Sequence, residues 1–211
     1  MKKNVVILDY GIGNIKSISN AIIEVGAIPI LTNDPNKILS ADACILPGVG
    51  AFQKGMANLK SSNLISVIHE FVKTGKPFLG ICLGMQLLFD ESHEFGITQG
   101  LGLIDGSVQK IKLKPDSKEK LPHVSWNEIY EPRYGKWLDS LLETTKLNSD
   151  VYFVHSFAAM PANVDDILAL TNYGEGAICA AVKKKNITGV QFHPEKSGNF
   201  GLKMLTQYLS I

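Results

Sequence analysis

The stretch Pro77-Phe78-Leu79-Gly80-Ile81-Cys82-Leu83-Gly84-Met85-Gln86-Leu87-Leu88-Phe89 restricts the fold more than any other part of the chain. It starts at a proline as an apolar run of strand length. It ends as an apolar helix start, with Leu83, Leu87 and Leu88 spaced for one face. Between the two, Gly80 and Gly84 frame Cys82 in the G-x-nucleophile-x-G pattern of a strand-to-helix elbow, with Cys in place of Ser. The spacing has a steric reason. A nucleophile on so sharp a turn takes a strained backbone, and residues two positions either side must lack a Cβ to pass each other. The elbow also puts Cys82 at a helix N-terminus, where the dipole favours a thiolate. A buried structural cysteine beside packing glycines is the competing reading of the same residues.

Composition frames the reading. The 211 residues suit one large domain over 1–211 with a substantial core. The net charge of +1 offers no general attraction to nucleic acid or to a membrane surface. The 3 cysteines have no metal-like spacing, and neither a metal nor another cofactor is expected. Cys44 and Cys179 sit in apolar runs as core residues, and free thiols suit a reducing compartment. Only Asn4 to Leu8 separates Lys2-Lys3 from Asp9, too short for a signal-peptide core, and no apolar run is of membrane-spanning length. A cytoplasmic location is expected.

The chain alternates strands and helices up to the elbow. Asn4–Leu8 is a continuous apolar run, as for a strand buried on both faces. After the turn Asp9-Tyr10-Gly11-Ile12-Gly13-Asn14, a helix carries Ile15, Ile18, Ile22 and Val25, with Asn14 or Ser17 as its cap. Gly11-Ile12-Gly13 lacks the third glycine of a dinucleotide fingerprint, Lys16 standing there. Strands are expected at Ala27–Leu31 and Ala43–Leu46, with a break at Thr32-Asn33-Asp34-Pro35. Helices over Phe52–Leu59 and Leu64–Lys73 lead to the elbow strand. This order implies an α/β fold with a mostly parallel open sheet flanked by helices and with sites at the C-terminal strand ends. After Phe89 come short strands at Leu101–Ile104, Ser107–Leu113, Pro122–Val124 and Trp126–Tyr130, an antiparallel excursion. Lys110, Lys112 and Lys114 form one solvated face, and Lys114–Lys120 reads as a mobile loop. Val151–Val154, Ile167–Leu170, Ala177–Val182 and Ile187–Val190 are further strands, before a final helix from about Asn199 to Leu209.

A thiolate nucleophile needs a base and a group that orients the base. Of the 5 histidines, His69 reads as surface and His93 as loop, while His123 and His155 end strands and are possible bases. His193 is the strongest candidate, because Glu195 lies two residues on, where an extended segment turns both side chains the same way. Two backbone N–H groups could receive an oxyanion: Leu83, directly after the nucleophile, and Val49, flanked by glycines in Pro47-Gly48-Val49-Gly50. A peptide between two glycines can also flip at low steric cost, so this loop could act as a gate. Gln86 could bind a polar substrate or merely fill a helix face. Together these parts specify acyl transfer from an amide or ester through a thioester.

Gly80–Gln86 (G-I-C-L-G-M-Q), His193–Glu195 (H-P-E) and Pro47–Gly50 (P-G-V-G) resemble the class I, triad-type, glutamine amidotransferases. Within that family the chain is similar along its whole length to glutaminase subunits of imidazole glycerol phosphate synthases. The matching segments are Asp9–Asn14, Pro122–Asn127, Tyr152–Ser156 and Gly189–Gly198. The resemblance implies a flavodoxin-like core and a triad of Cys82, His193 and Glu195. It implies oxyanion N–H groups at Val49 and Leu83, and contacts to L-glutamine from Gly50, Gln86, Ser156 and Phe157. It further implies that ammonia passes through a channel to a separate (β/α)8 cyclase subunit. Asn14, Trp126, Tyr152 and Lys196 would lie at that interface. The cyclase joins ammonia to a phosphoribulosyl-formimino carboxamide nucleotide in histidine biosynthesis. Two positions depart from the family's usual pattern: Val124-Ser125 stands where Met-Gly is common, and Phe157 where Tyr is common.

Three other functions share these residues. Paralogous subunits feed ammonia to synthases of surface sugars. A stand-alone γ-glutamyl cysteine hydrolase would use the same elbow with a large open cleft and no partner. A catalytically silent binding protein would have no use for the Cys82, His193 and Glu195 set.

Overall fold

The computed structural model describes residues 2–211. The first half contains strands Asn4–Leu8 (β1), Ile28–Thr32 (β2), Ala43–Leu46 (β3) and Phe78–Ile81 (β4). Helices Ile15–Glu24 (α1), Pro35–Ser40 (α2), Phe52–Ser61 (α3) and Leu64–Lys73 (α4) lie between them. A single helical turn, Leu83–Gln86 (α5), follows Cys82. Then come Phe89–Ser92 (β5), Thr98–Gln99 (β6), Ile104–Lys110 (β7), His123–Ile129 (β8), Ser149–His155 (β9), Phe157–Pro161 (β10), Ile167–Tyr173 (β11), Gly176–Lys184 (β12) and Ile187–Val190 (β13). A 3₁₀ turn, Pro194–Lys196, precedes the last helix, Gly198–Tyr208 (α6).

The main sheet has 7 strands in the order β11-β12-β13-β4-β3-β1-β2. Pairing is parallel from β2 to β13 and antiparallel at β12 and β11. Side-chain alternation feeds two cores. Val5 and Ile7 of β1 face Ile18 and Ile22 of α1 and Met204 and Leu205 of α6. Val6 and Leu8 face the opposite layer, with Leu59 of α3 and Ile68 and Phe71 of α4. Each such side chain, fully buried, contributes roughly 1.5–3 kcal/mol. Tyr208 pins α6 beneath the sheet by donating to the carbonyls of Cys44 and Pro77, both at 2.9 Å.

The expected α/β sheet is present, and the antiparallel excursion is a 4-stranded sheet, β10-β7-β5-β6, plus the two-stranded pair β8-β9. Several local expectations differ. Asp34-Pro35 starts a helix rather than only breaking a strand: Asp34 accepts from Asn36 N at 2.9 Å, and Pro35 fills the first turn, where no N–H is needed. Asn14 stands at the start of α1 without a side-chain capping bond. His155 and Phe157 end and start different strands, because the chain switches sheets at Ser156. The Lys114–Lys120 segment has no regular element, but Glu119 ties it to the β11–β12 turn by accepting from Gly174 N at 3.0 Å. No helix among the described residues is long and apolar enough to cross a membrane.

The elbow shows why its glycines are required. A Cβ on Gly84 would lie 1.9 Å from the Leu46 carbonyl oxygen, and one on Gly80 would lie 2.6 Å from the Gly84 oxygen. Gly176, at the start of β12, has open space around it. Gly84→Ala is therefore expected to lose about 3 kcal/mol, the upper end for overpacking. The Tm should drop by roughly 6–12 °C. Gly176→Ala should stay within about 0.5 kcal/mol of the parent. Thermal melts of both variants check this, and equal melts would remove the close approach as a constraint.

Candidate active site

Three neighbouring parallel strands deliver the candidate residues to one end of the sheet. Cys82 directly follows β4, whose last residue Ile81 pairs with Val190 of β13. His193 lies just past Val190, and the loop Pro47–Gly50 follows β3 on the other side of β4. Cys82 has φ 55° and ψ −112°, a conformation costly for any residue with a Cβ, and the Val190 carbonyl holds its N–H at 2.8 Å. The helix after it is only four residues long, so it offers the thiol no long macrodipole.

His193 Nδ1 and Glu195 Oε1 are 2.8 Å apart, and both side chains are almost wholly buried. The pair does not sit on extended backbone as the sequence suggests. His193 is the last extended residue, and Pro194 opens the 3₁₀ turn that folds Glu195 back onto the ring. His193 is fixed further by its main chain: its N–H donates to the Tyr152 carbonyl at 2.9 Å, and its own carbonyl accepts from Ser197 Oγ at 2.7 Å. Burial alone would lower the pKa of His193. The Cys82 sulfur and the Glu195 carboxylate outweigh burial and raise it to about 9. Nε2, the remaining nitrogen, is buried without a hydrogen-bond partner among the described residues.

A cavity of ≈ 390 Å³ opens in front of the thiol, lined among others by Val49, Gly50, Cys82, Leu83, Gln86, Ser156 and Phe157. A larger hollow of ≈ 720 Å³ beneath Lys114–Glu119 holds none of the candidate residues. Gln86 Nε2 donates both to the Phe157 carbonyl at 3.0 Å and to Gln191 Oε1 at 2.9 Å. Its oxygen is then the group left for a ligand. The loop glycines are unequal. Gly48 is wedged, its missing Cβ 2.8 Å from both the Tyr10 hydroxyl and Leu83 Cβ, whereas Gly50 has φ 101° and open space. Tyr10 also donates to the Pro47 carbonyl and so anchors the loop. Burial and the nearby Cys82 hold the Tyr10 phenol well above its ordinary pKa, so it stays a donor.

His123 and His155 are not available as bases to Cys82. They bond each other, Nδ1 to Nε2, at 3.0 Å, and His155 Nδ1 donates to the Phe157 carbonyl at 2.8 Å. Burial lowers both, His123 to about 4 and His155 to about 3, so the pair is neutral. Among the described residues no group of three or more His, Cys, Asp or Glu could hold a metal ion.

The model of the glutamine amidotransferase class-I family matches residues 6–209. The chain belongs to that family. It is a glutamine amidotransferase. It is 47% identical over 211 residues to imidazole glycerol phosphate synthase subunit HisH 1 of Legionella pneumophila (strain Lens), covering 99% of each chain. It is 45% identical to the HisH subunit of Lactococcus lactis, over 98% of each chain. The Aquifex aeolicus HisH subunit is 41% identical, over 96% of this chain and 94% of that one. In fold it is similar to PurLQS of Thermotoga maritima, with a TM-score of 0.75 at 18% identity, covering 100% of this chain and 99% of that one. A putative GMP synthase component of Thermoplasma acidophilum gives 0.68 at 16% identity, covering 100% and 94%.

In this amidotransferase, Trp126, Tyr152 and Lys196 form one cluster beside the base. Trp126 pairs with Tyr152 across β8-β9, their rings 6.0 Å apart; Lys196 Nζ lies 5.7 Å from the Tyr152 ring, and that ring is 6.3 Å from His193. Asn14 immediately precedes α1, next to Gly13, whose missing Cβ faces Pro47 at 3.0 Å. Residues to which the sequence analysis gives no role also reach the site: Gln191, the Val154 carbonyl, Glu94, Phe95 and Pro122. Gln191 is a polar residue inside an apolar strand end, which is the one hint it offers.

The His193 pKa fixes a stability signature. A histidine raised from about 6.5 when unfolded to about 9 when folded stabilises fully below the lower value and loses that contribution as pH rises through the higher one. The wild type should lose urea resistance between these limits, and Glu195→Gln should lose less. Comparing the two proteins cancels buried Cys44 and Cys179, whose raised pKa acts equally in both. The same variant should turn over glutamine roughly 10²–10⁴-fold more slowly. Parallel stability curves with near-normal turnover would exclude Glu195 from the base.

Proposed function

We propose that this chain is the glutaminase subunit of an imidazole glycerol phosphate synthase. Cys82 Sγ attacks the side-chain carbonyl carbon of L-glutamine, and the N–H groups of Val49 and Leu83 receive the oxyanion. Each such donor contributes about 3 kcal/mol of transition-state stabilisation. His193 Nε2 then gives its proton to the departing nitrogen, so ammonia leaves and a thioester remains on Cys82. Water attacks the thioester, its proton passes to His193, the C–S bond breaks, and glutamate leaves. Glu195 keeps the imidazole oriented and stabilises its charged form.

The observation that carries this reading is the cavity in front of the thiol with the His193–Glu195 pair behind it. At ≈ 390 Å³ it lies within the range of small-molecule sites. Gly50, Gln86, Ser156 and Phe157 line it and hold the substrate. Support for the subunit role comes from relatives 41% to 47% identical over nearly the whole chain, named as such subunits. The partner is the (β/α)8 cyclase subunit. Trp126, 54% exposed, with Tyr152, Lys196 and Asn14, forms the docking face, and ammonia crosses it toward histidine biosynthesis.

The gate in this proposal is the Val49 peptide, held by Tyr10 on one side and free at Gly50 on the other. A bias of about 3 kcal/mol toward a closed state gives roughly hundredfold activation when the partner removes it. Glutamine hydrolysis is measured for the free chain, the co-purified complex, and the complex with acceptor nucleotide, and should rise in that order. Equal rates in all three would dismiss the gate and favour a stand-alone hydrolase. A glutamine-like electrophile should label Cys82 and spare Cys44 and Cys179, whose buried thiols are pushed far up, Cys179 to about 12. Labelling at Cys179 instead would move the nucleophile.

A further inference from the structure

We infer that Gln191 is a catalytic residue: its side-chain N–H donates to Cys82 Sγ, and Gln86 fixes its orientation. Gln191 is 0% exposed, and Nε2 lies 3.8 Å from the sulfur, within range for a hydrogen bond to sulfur. The two ends of an amide side chain look alike, so the direction must be argued from partners. The Phe157 carbonyl accepts only, so the Gln86 atom at 3.0 Å from it is the NH₂ nitrogen. That same nitrogen touches Gln191 at 2.9 Å, so Gln191 must present its oxygen there. Its own NH₂ is then turned to the thiol. One backbone carbonyl therefore sets the polarity of the whole relay, Phe157 to Gln86 to Gln191 to Cys82.

Two contacts make opposite demands on the sulfur. The Val154 carbonyl, 3.8 Å from Sγ, can accept only from a protonated thiol. The Gln191 N–H bonds more strongly to a thiolate, because a charged acceptor strengthens the bond. The thiolate occurs twice in the cycle, before attack on the amide and when the thioester breaks and the electron pair returns to Sγ. Gln191 serves both moments and is idle while the sulfur is acylated. This role rests on the glutaminase reading for its place in the cycle, but the hydrogen bond itself does not.

The test uses the full chain and iodoacetamide, whose reaction with Cys82 needs no glutamine. The alkylation rate is followed against pH, with site occupancy read by mass spectrometry. Gln191→Met removes the donor, and Gln191→Glu keeps an acceptor for Gln86 but offers the sulfur no N–H. The midpoint of the profile should move up by about one pH unit in Gln191→Met, and further in Gln191→Glu. Folded variants with the parent profile overturn the inference. If neither variant folds, the unmutated protein still decides: the Gln191 side-chain amide proton signals should titrate with the alkylation midpoint, and signals flat across it overturn the inference. Glutamine hydrolysis by the complex is assayed in parallel. Its absence in the wild type would defeat the proposed function and leave the alkylation result standing.

Discussion

The structure depends on the close approach of the Gly84 backbone to the end of β3. With a hydrogen in place of a side chain, Gly84 sits against the Leu46 carbonyl, and the turn after β4 closes tightly enough to hold Cys82 at positive φ. Everything at the site is referred to that turn. The Leu83 N–H, the Gln86 amide and the packing of Leu83 against Gly48 all follow from where α5 starts. The strain at Cys82 is one residue's worth, about 1–3 kcal/mol. Two buried core layers, one on each side of the sheet, hold it in place.

Much of this was legible in the sequence because it is local. The elbow glycines, the apolar runs of β1, β3 and β4, and the pairing of His193 with Glu195 are all encoded within short stretches. The parts that were not legible are those that depend on contacts distant in sequence. Asp34-Pro35 carries signals both for a break and for a helix start, and only the docking of Ile38 into the core selects the helix. His123 and His155 end strands as a base would, but their antiparallel pairing turns each ring nitrogen toward the other instead of the thiol. Gln191 reads as one polar residue at a strand end, and its side-chain partners, Gln86 on α5 and Cys82 just before it, lie far back in the chain. The proximity of His193 to Glu195 was legible, while its cause, a proline-led turn rather than an extended strand, was not.

The site keeps polar atoms in reserve. His193 Nε2 and Glu195 Oε2 are buried and unpartnered among the described residues. An unmet buried group costs about 1–3 kcal/mol. For Nε2 the cost falls at the atom that, in the proposed mechanism, takes and returns a proton. In the neighbouring histidine pair burial keeps both rings neutral, His155 Nδ1 holds the Phe157 carbonyl, and His123 Nε2 is likewise buried without a partner among the described residues.

The position of β13 in the sheet has a consequence for synthesis. It lies between β12 and β4, and the strand that carries the base is laid down long after the one that carries the thiol: Gln191 and Cys82 are 109 residues apart. On the ribosome, the slot in the sheet beside the cysteine elbow stays vacant until β13, Ile187–Val190, has been made. The antiparallel hairpin β11-β12 has no central strand to join until β13 arrives to bridge them. Sheet closure and assembly of the nucleophile with its base are therefore a single late event. Until β13 is made, a nascent chain lacks both the finished sheet and the strand that brings Gln191 and His193 to Cys82.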